Sequence, residues 1–162
     1  MLEEKIKKMG IEIPDAAKPL AAYIPALKVG NLIMTSGQVP VVNGVIKFLG
    51  KVGKDLSEEE GKEAAKLCAI NCLSAVKSVI GNLDKIKRVV KLTVFVNSAE
   101  NFTAQPKVAN GASEFIVEVF GDSGKHARSA VGVSELPLNS AVEIEMTVEV
   151  WFYLTKFDFL SK

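Results

Sequence analysis

The sequence predicts an α+β fold in which one mixed β-sheet is covered on a single face by two helices. The order of patterns along the chain is strands, helix, strand, helix and then two strands. The helical stretches carry apolar residues three and four positions apart, whereas the strand stretches alternate apolar and polar residues. Because both helices are amphipathic and are interleaved with strands, we expect them to cover the same face of the sheet.

The first third of the chain contains a short helix and two hairpin signals. Apolar and charged residues alternate over residues 2–9 in the manner of an amphipathic helix laid on the domain. Further on, Gly30-Asn31 separates two apolar stretches, and Asn43-Gly44 separates Val41-Val42 from Val45-Ile46. Both dipeptides are typical of tight turns, so the segment predicts short strands joined in a meander.

The two long helices are marked by their ends. Ser57 and Glu60 form a capping-box pattern ahead of an alanine-rich stretch, and Gly81 supplies a stop. A second helix is predicted for residues 105–120, with Gly121 as its stop.

Strands are further predicted at residues 89–96, 129–133 and 141–150, the last two joined as a hairpin. Alternation assigns to the helix-covered face Val90, Leu92, Val94, Val96, Val131, Val133, Val142, Ile144, Met146, Val148 and Val150. The opposite face is expected to hold Arg128, Glu143, Glu145, Thr147 and Glu149 together with Val89, Phe95 and Ala130. This mixture of charged and apolar residues favours a subunit interface over a face that only meets water.

Length and charge limit the function classes. The 162 residues suffice for one core, so we expect a single domain over residues 1–162, with an N-terminal extension (1–15) and an aromatic tail (151–162) that packs on the domain or on a neighbour. Twenty Lys and Arg residues against 19 Asp and Glu leave no broad positive field for nucleic acid. Neither a membrane span nor a signal peptide is apparent, which predicts a cytoplasmic protein.

The cysteines predict no metal centre. Cys68 and Cys72 lie four residues apart in a helical pattern, and the chain has one distant histidine, so the ligand count for zinc is not reached. We interpret the two thiols as core residues.

Four separated motifs resemble the Rid family (reactive intermediate deaminases), also called the YjgF or L-PSP endoribonuclease family. They are residues 35–40 (TSGQVP), residues 90–96 (VKLTVFV), residues 127–131 (ARSAV) with 136–138 (LPL), and residues 142–145 (VEIE). The resemblance runs from about Lys18 to Val150. It implies a chorismate-mutase-like fold, a homotrimer with clefts at the subunit boundaries, and hydrolysis of reactive imines without a cofactor.

The resemblance also implies roles for individual residues. Arg128 would hold the substrate carboxylate, Glu143 would position the attacking water, and Tyr23 would line the cleft. Substrate-binding positions would be Ser36, Gly37, Asn110 and the backbone of Ala130. The sequence departs from the family pattern at Ile24 and Pro25 and at Ala130, where many members have a cysteine, which suggests a divergent subgroup.

The residue types suit this chemistry. The planar guanidinium of an arginine binds a carboxylate through two parallel hydrogen bonds, and a glutamate accepts a proton from attacking water. Without the resemblance, Arg128 would be interpreted as part of a structural ion pair, Glu143 and Glu145 as solvated or interface charges, and Tyr23 as packing. His126, two residues before Arg128, is a weaker candidate base. In the expected hairpin Arg128 lies near Thr147, roughly 13 Å from Glu143.

Three functions compete at this stage. The first is hydrolysis of imines of the 2-aminoacrylate type to 2-keto acids and ammonia. A trimer that only binds small carboxylates, as a sensor or chaperone-like protein, would use the same cleft. Ribonuclease activity is the weakest hypothesis, because the charge is balanced and no paired histidines or base-stacking motif are present.

Overall fold

The computed structural model describes residues 1–16 and 22–151. Three α-helices and seven strands follow in the predicted order. They are α1 (Leu2–Lys8), β1 (Ala26–Val29), β2 (Leu32–Thr35), β3 (Val41–Val42), β4 (Val45–Ile46), α2 (Glu58–Ile80), β5 (Ile86–Asn97), α3 (Gln105–Phe120), β6 (Ala127–Val133) and β7 (Val142–Val150).

Five strands form a mixed sheet in the order β1-β2-β7-β5-β6. All neighbours are antiparallel except β5 and β6, which are parallel. Helix α3 connects these two strands, and a parallel pair needs such a crossover. The predicted mixed sheet is therefore confirmed, whereas β3 and β4 form a separate hairpin. At its turn Asn43 and Gly44 have φ angles of 52° and 77°, as a two-residue turn with positive φ requires.

Helices α2 and α3 cover one face of the sheet, as predicted. Ser57 accepts a hydrogen bond from the Glu60 N–H, the Glu60 carboxylate accepts one from the Ser57 N–H, and Gly81 ends α2. The two helices pack closely because glycines lie at their contact. Gly61 lies against Val108, and a Cβ on Gly111 would be 2.0 Å from the Lys62 carbonyl oxygen.

The predicted side-chain faces are wrong at two places. A register shift between Val89 and Lys91 inserts one residue into β5, so that Val89 is fully buried opposite Val148 and Val90 is only partly buried. Val89 therefore faces the core, contrary to the alternation pattern.

Strand β6 has its faces exchanged relative to the prediction. Arg128 lies opposite Leu92 and Ala130 opposite Val94, so both side chains face the helices. Val131 lies opposite Phe95 and is 44% exposed on the other side. Two valines misled the alternation argument, because an edge strand buries little of either face.

The predicted pairing of the last two strands is also wrong. Strand β5 lies between β6 and β7, so no hairpin forms and Arg128 is not beside Thr147. Thr147 is opposite Lys91 instead. The connection from β6 to β7 crosses the end of β5, which places Arg128 and Glu143 two strands apart.

We call the sheet face turned away from α2 and α3 the open face. Its side chains, assigned from strand register, are Leu27, Val29, Leu32, Met34, Lys91, Thr93, Phe95, Ser129, Val131, Glu143, Glu145, Thr147 and Glu149. Leu27, Val29 and Met34 are each about half exposed. The mixture of charged and apolar residues inferred from the sequence is thus present, with partly different members.

Helix α1 is docked by polar contacts around one buried side chain. Ile6 is 1% exposed, and the Leu2 N–H donates to the Asp84 carboxylate. Lys77 donates to Glu3 at 3.0 Å and the Leu83 N–H donates to the other oxygen of Glu3 at 3.1 Å. These two hydrogen bonds lower the pKa of Glu3. The predicted amphipathic N-terminal helix is confirmed.

Both thiols lie in the core, as predicted. Cys68 donates to the Val142 carbonyl and Cys72 to the Ile144 carbonyl, and neither forms a disulfide. Burial raises the pKa of Cys72 to about 12 and that of Cys68 well above its usual value.

The expected packing of the aromatic tail falls on residues 152–162, outside the described part of the chain. Trp151, at the boundary, donates its backbone N–H to the Lys85 carbonyl, and Lys87 Nζ is 5.5 Å from the centre of its ring. No helix within residues 1–16 and 22–151 is both long enough and apolar enough to span a bilayer.

The Gly111 contact generates a stability prediction. Helix propensity alone would make Gly111→Ala stabilising by up to about 1 kcal/mol. Because the new Cβ would collide with the backbone of α2, we expect a loss of about 1–3 kcal/mol in the free energy of unfolding instead. Urea unfolding measures this, with the exposed α3 variant Glu118→Ala as the control. A Gly111→Ala protein more stable than wild type would contradict the close helix contact.

Candidate active site

Arg128 is held by α3 through one end of its guanidinium. Nη1 donates to Asn110 Oδ1 at 2.9 Å and to Ser113 Oγ at 3.0 Å. Asn110 and Ser113 are three residues apart and therefore lie on the same side of α3. Among the described residues, Arg128 Nε and Nη2 have no hydrogen-bond partner. They form the edge of the guanidinium that binds a carboxylate through two parallel bonds.

His126 lies behind Ser113. Its Nε2 is 3.0 Å from Ser113 Oγ, and its Nδ1 is 2.6 Å from the Gly124 carbonyl oxygen. Burial lowers the pKa of His126, the Gly124 bond partly offsets this, and the charge of Arg128 lowers the pKa further. The neutral form of the ring is therefore favoured.

Glu143 lies on the open face, where the backbone at Gly37 passes close to its carboxylate. Gln38 and Ile144 exchange two backbone hydrogen bonds, which bring the chain at Gly37 over the Glu143 carboxylate. A Cβ on Gly37 would be 1.8 Å from Glu143 Oε1, so only glycine leaves room. Burial raises the pKa of Glu143, and the charge of Glu145 raises it further. A carboxylate with a raised pKa is a stronger base than an ordinary glutamate.

Tyr23 and Gly37 line the same cavity, whose volume is about 530 Å³. Gln38 and the α2 residue Asn71 also line it. Ser36 holds the segment that carries Tyr23, because its hydroxyl donates to the Ile24 carbonyl at 2.7 Å and its N–H donates to the Pro25 carbonyl. The sequence had suggested that Ser36 binds substrate. In the structure the Ser36 hydroxyl donates its proton to the backbone of the segment that carries Tyr23.

Ala130 is packed against the core on the helix side of β6. Because β6 is an edge strand of the described sheet, some of its backbone N–H groups face outward without a strand partner among residues 1–16 and 22–151. Its predicted backbone role therefore remains a prediction.

The predicted site residues form two separate clusters. We call Arg128, Asn110, Ser113 and His126 the arginine cluster, and Glu143 with Gly37 the glutamate cluster. Tyr23 shares a cavity with Gly37, but Glu143 is not among the described residues that line this cavity. Two strand spacings and three residues along the strand separate the Cα atoms of Arg128 and Glu143 by about 14 Å, on opposite faces of the sheet. A small substrate cannot contact both clusters within one chain.

Ser113 is a member that sequence reasoning missed. The signal for it was present, since Asn110 and Ser113 lie at the spacing of three that places both side chains on one face of a predicted helix. Among residues 1–16 and 22–151, no group of three His, Cys, Asp or Glu side chains is placed to hold a metal ion.

The fold and the two clusters define a class: a small α+β protein with a positioned arginine at one sheet edge and a partly buried glutamate on the open face. Comparison with known proteins identifies the family. Residues 3–150 match the model of the YjgF/chorismate-mutase-like endoribonuclease family, and the chain belongs to that family. The match includes most of α1.

Three relatives illustrate the similarity. Protein TCP17 of Trypanosoma cruzi is 44% identical over 146 residues, covering 90% of this chain and 91% of TCP17. The 2-iminobutanoate/2-iminopropanoate deaminase of Dermatophagoides farinae is 31% identical over 140 residues, covering 86% and 94%. The crystal structure of Atu1372 from Agrobacterium tumefaciens, a protein of unknown function, has a TM-score of 0.86 at 44% identity and covers 92% of each chain.

The contact between Gly37 and Glu143 can be tested directly. In Gly37→Ala the new methyl group displaces the carboxylate toward water, so we expect the pKa of Glu143 to fall toward the ordinary glutamate value. NMR titration of the carboxyl carbon measures this. The displaced atoms belong to a side chain, so the free energy of unfolding should change by less than about 1 kcal/mol. Val45→Ala, an exposed change in the β3–β4 hairpin, is the control, and an unaltered Glu143 titration would refute the contact.

Proposed function

We propose that this protein hydrolyses reactive imines of the 2-aminoacrylate type to 2-keto acids and ammonia, without a cofactor. The observation that carries the proposal is the arginine cluster. Arg128 is fixed by the two hydrogen bonds that Nη1 donates, which leaves Nε and Nη2 available to bind a carboxylate through two parallel bonds. The relative from Dermatophagoides farinae, a 2-iminobutanoate/2-iminopropanoate deaminase by name, supports the same chemistry.

The residues can perform each step of this reaction. After the enamine tautomerises to the imine, Arg128 binds the carboxylate and holds the imine carbon still. Glu143 accepts a proton from water while the water oxygen bonds to that carbon and the C=N electron pair moves to nitrogen; Glu143 returns this proton to the nitrogen, giving a tetrahedral aminoalcohol. Glu143 then takes the proton of the new hydroxyl group and passes it to the nitrogen as the C–N bond breaks and the C=O bond forms, so that ammonia and a 2-keto acid are released. The raised pKa of Glu143 suits a group that both takes and returns a proton.

We further propose that the working site lies between two copies of the chain in a homotrimer. The arginine and glutamate clusters are too far apart within one chain, and the open face exposes the apolar side chains of Leu27, Val29 and Met34. An apolar group of this kind on a sheet face is typical of a subunit interface. One copy would supply Arg128 and its neighbour would supply Glu143.

Arg128→Lys and Glu143→Gln should each reduce imine hydrolysis by about 100-fold or more while the protein stays folded. Lysine keeps the charge but loses the two parallel bonds, and glutamine keeps the shape but cannot accept the proton. Ammonia release from an imine generated in situ by an amino-acid oxidase measures the effect. Arg88→Lys and Glu149→Gln are the matched controls on β5 and β7. Wild-type rates for both site variants would disprove the mechanism.

Mixing the two inactive variants tests the shared site. If Arg128 and Glu143 come from different copies, random exchange in a trimer restores about one quarter of the sites. If one chain supplies both, mixing restores none. Light scattering on the same samples reports the oligomeric state, and a monomer would contradict the trimer. Binding of a 2-keto acid without any ammonia release would instead identify a carboxylate-binding protein.

The pH profile should report the raised pKa of Glu143. A general base loses activity as pH falls through its pKa, so the acidic limb of kcat/KM should lie above the ordinary glutamate pKa. Burial is the main cause of the shift and Glu145 the second, so Glu145→Gln should move the limb to lower pH. Glu149→Gln, on the same strand, should leave the limb in place. A limb unaffected by Glu145→Gln would mean that another group controls the profile.

A further inference from the structure

The contacts behind Arg128 form a chain of hydrogen bonds with one consistent direction. The Gly124 carbonyl can only accept, so His126 Nδ1 carries the proton that it donates at 2.6 Å. In a neutral imidazole the other nitrogen is then an acceptor. The Ser113 hydroxyl therefore donates to His126 Nε2, and Ser113 Oγ accepts from Arg128 Nη1.

The turn before β6 is built to bring His126 to this position. Gly124 lies against the last turns of α3, where a Cβ would be 2.6 Å from the Ile116 carbonyl oxygen. This close approach places the Gly124 carbonyl and the His126 ring beside Ser113. Without its partner His126, Ser113 could rotate its hydroxyl and offer Arg128 a hydrogen atom instead of a lone pair.

We infer that His126 is a positioning residue that acts through Ser113 to fix the Arg128 guanidinium for the substrate carboxylate. The inference rests on the proposed function and assigns a role to two residues, His126 and Ser113, that touch no reacting atom. The neutral ring orients the serine hydroxyl, and the oriented serine accepts from Nη1 alongside Asn110. The guanidinium plane is thereby fixed by two acceptors rather than one, and its free edge is held toward the ligand.

Substitutions at position 126 test the roles of the two ring nitrogens of His126 separately. Asparagine places its amide nitrogen near Nδ1, so His126→Asn keeps the bond to Gly124 and the turn but loses the acceptor for Ser113. Glutamine reaches further, so His126→Gln offers its amide oxygen to Ser113 in place of Nε2. We expect His126→Asn to raise KM about tenfold with kcat changed less than about twofold, and His126→Gln to recover most of the loss.

A double-mutant cycle tests whether the effect passes through Ser113. Ser113→Ala alone should raise KM about as much as His126→Asn, and adding His126→Asn to Ser113→Ala should raise it no further. Pyruvate binding, measured by calorimetry, should weaken in parallel, since it probes the carboxylate interaction without the reaction. Asp122→Asn, an exposed change in the same turn, is the control. A purely structural role for His126 would give additive losses, with unfolding midpoints falling alongside.

The outcomes distinguish this inference from the function on which it rests. A wild-type protein that neither releases ammonia from imines nor binds pyruvate overturns the proposed function, and the inference with it. If the wild type does both and His126→Asn matches it in KM and in pyruvate affinity, the positioning role alone is wrong. Parallel changes in His126→Asn and Ser113→Ala without additivity support the relay.

Discussion

The parallel pairing of β6 with β5 is the constraint on which the geometry of the site depends. Helix α3 must cross from one strand to the other, so it lies directly over β6. The register that puts Arg128 opposite Leu92 turns its side chain toward that helix, where Asn110 and Ser113 accept from it. Had β6 paired with β7 as a hairpin, Arg128 would lie on the open face and would have none of these partners.

The surroundings of the two charged groups differ in their effect on charge. Neutral acceptors on α3 bind one end of the Arg128 guanidinium, and among the described residues no carboxylate occupies its other edge. Glu143 is instead covered by the backbone at Gly37 and lies near Glu145, so its charged form is disfavoured and its pKa rises. A carboxylate whose pKa is raised by burial and by a neighbouring negative charge is typical of functional sites. A carboxylate that is fully exposed on a strand would have a pKa close to the ordinary value.

The sequence was sufficient to predict the helices and strands, but not to predict on which face of the sheet some side chains lie. Caps and stops such as Ser57, Gly81 and Gly121 act locally, so both long helices begin and end where predicted. Alternation cannot detect the inserted residue near Val90, nor the exchanged faces of β6, because both follow from partners distant in sequence. Motif resemblance supplied Arg128, Asn110, Glu143 and Gly37, but it assigned no role to His126. The contact of Ser113 with Arg128 and the separation of Arg128 from Glu143 depend on topology.

That separation has a physical advantage if the proposed function holds. A guanidinium and a carboxylate within reach of each other in one chain form an ion pair, which occupies the bidentate edge of the arginine and lowers the pKa of the glutamate by one to about three units. Both effects oppose catalysis, since the arginine must stay free for substrate and the glutamate must remain a competent base. Placing Arg128 and Glu143 on opposite faces of the sheet prevents this pairing in the single chain. In the proposed homotrimer a neighbouring copy would bring the two groups together at a distance fixed by the subunit interface, with the substrate between them, so assembly would create the site without neutralising it.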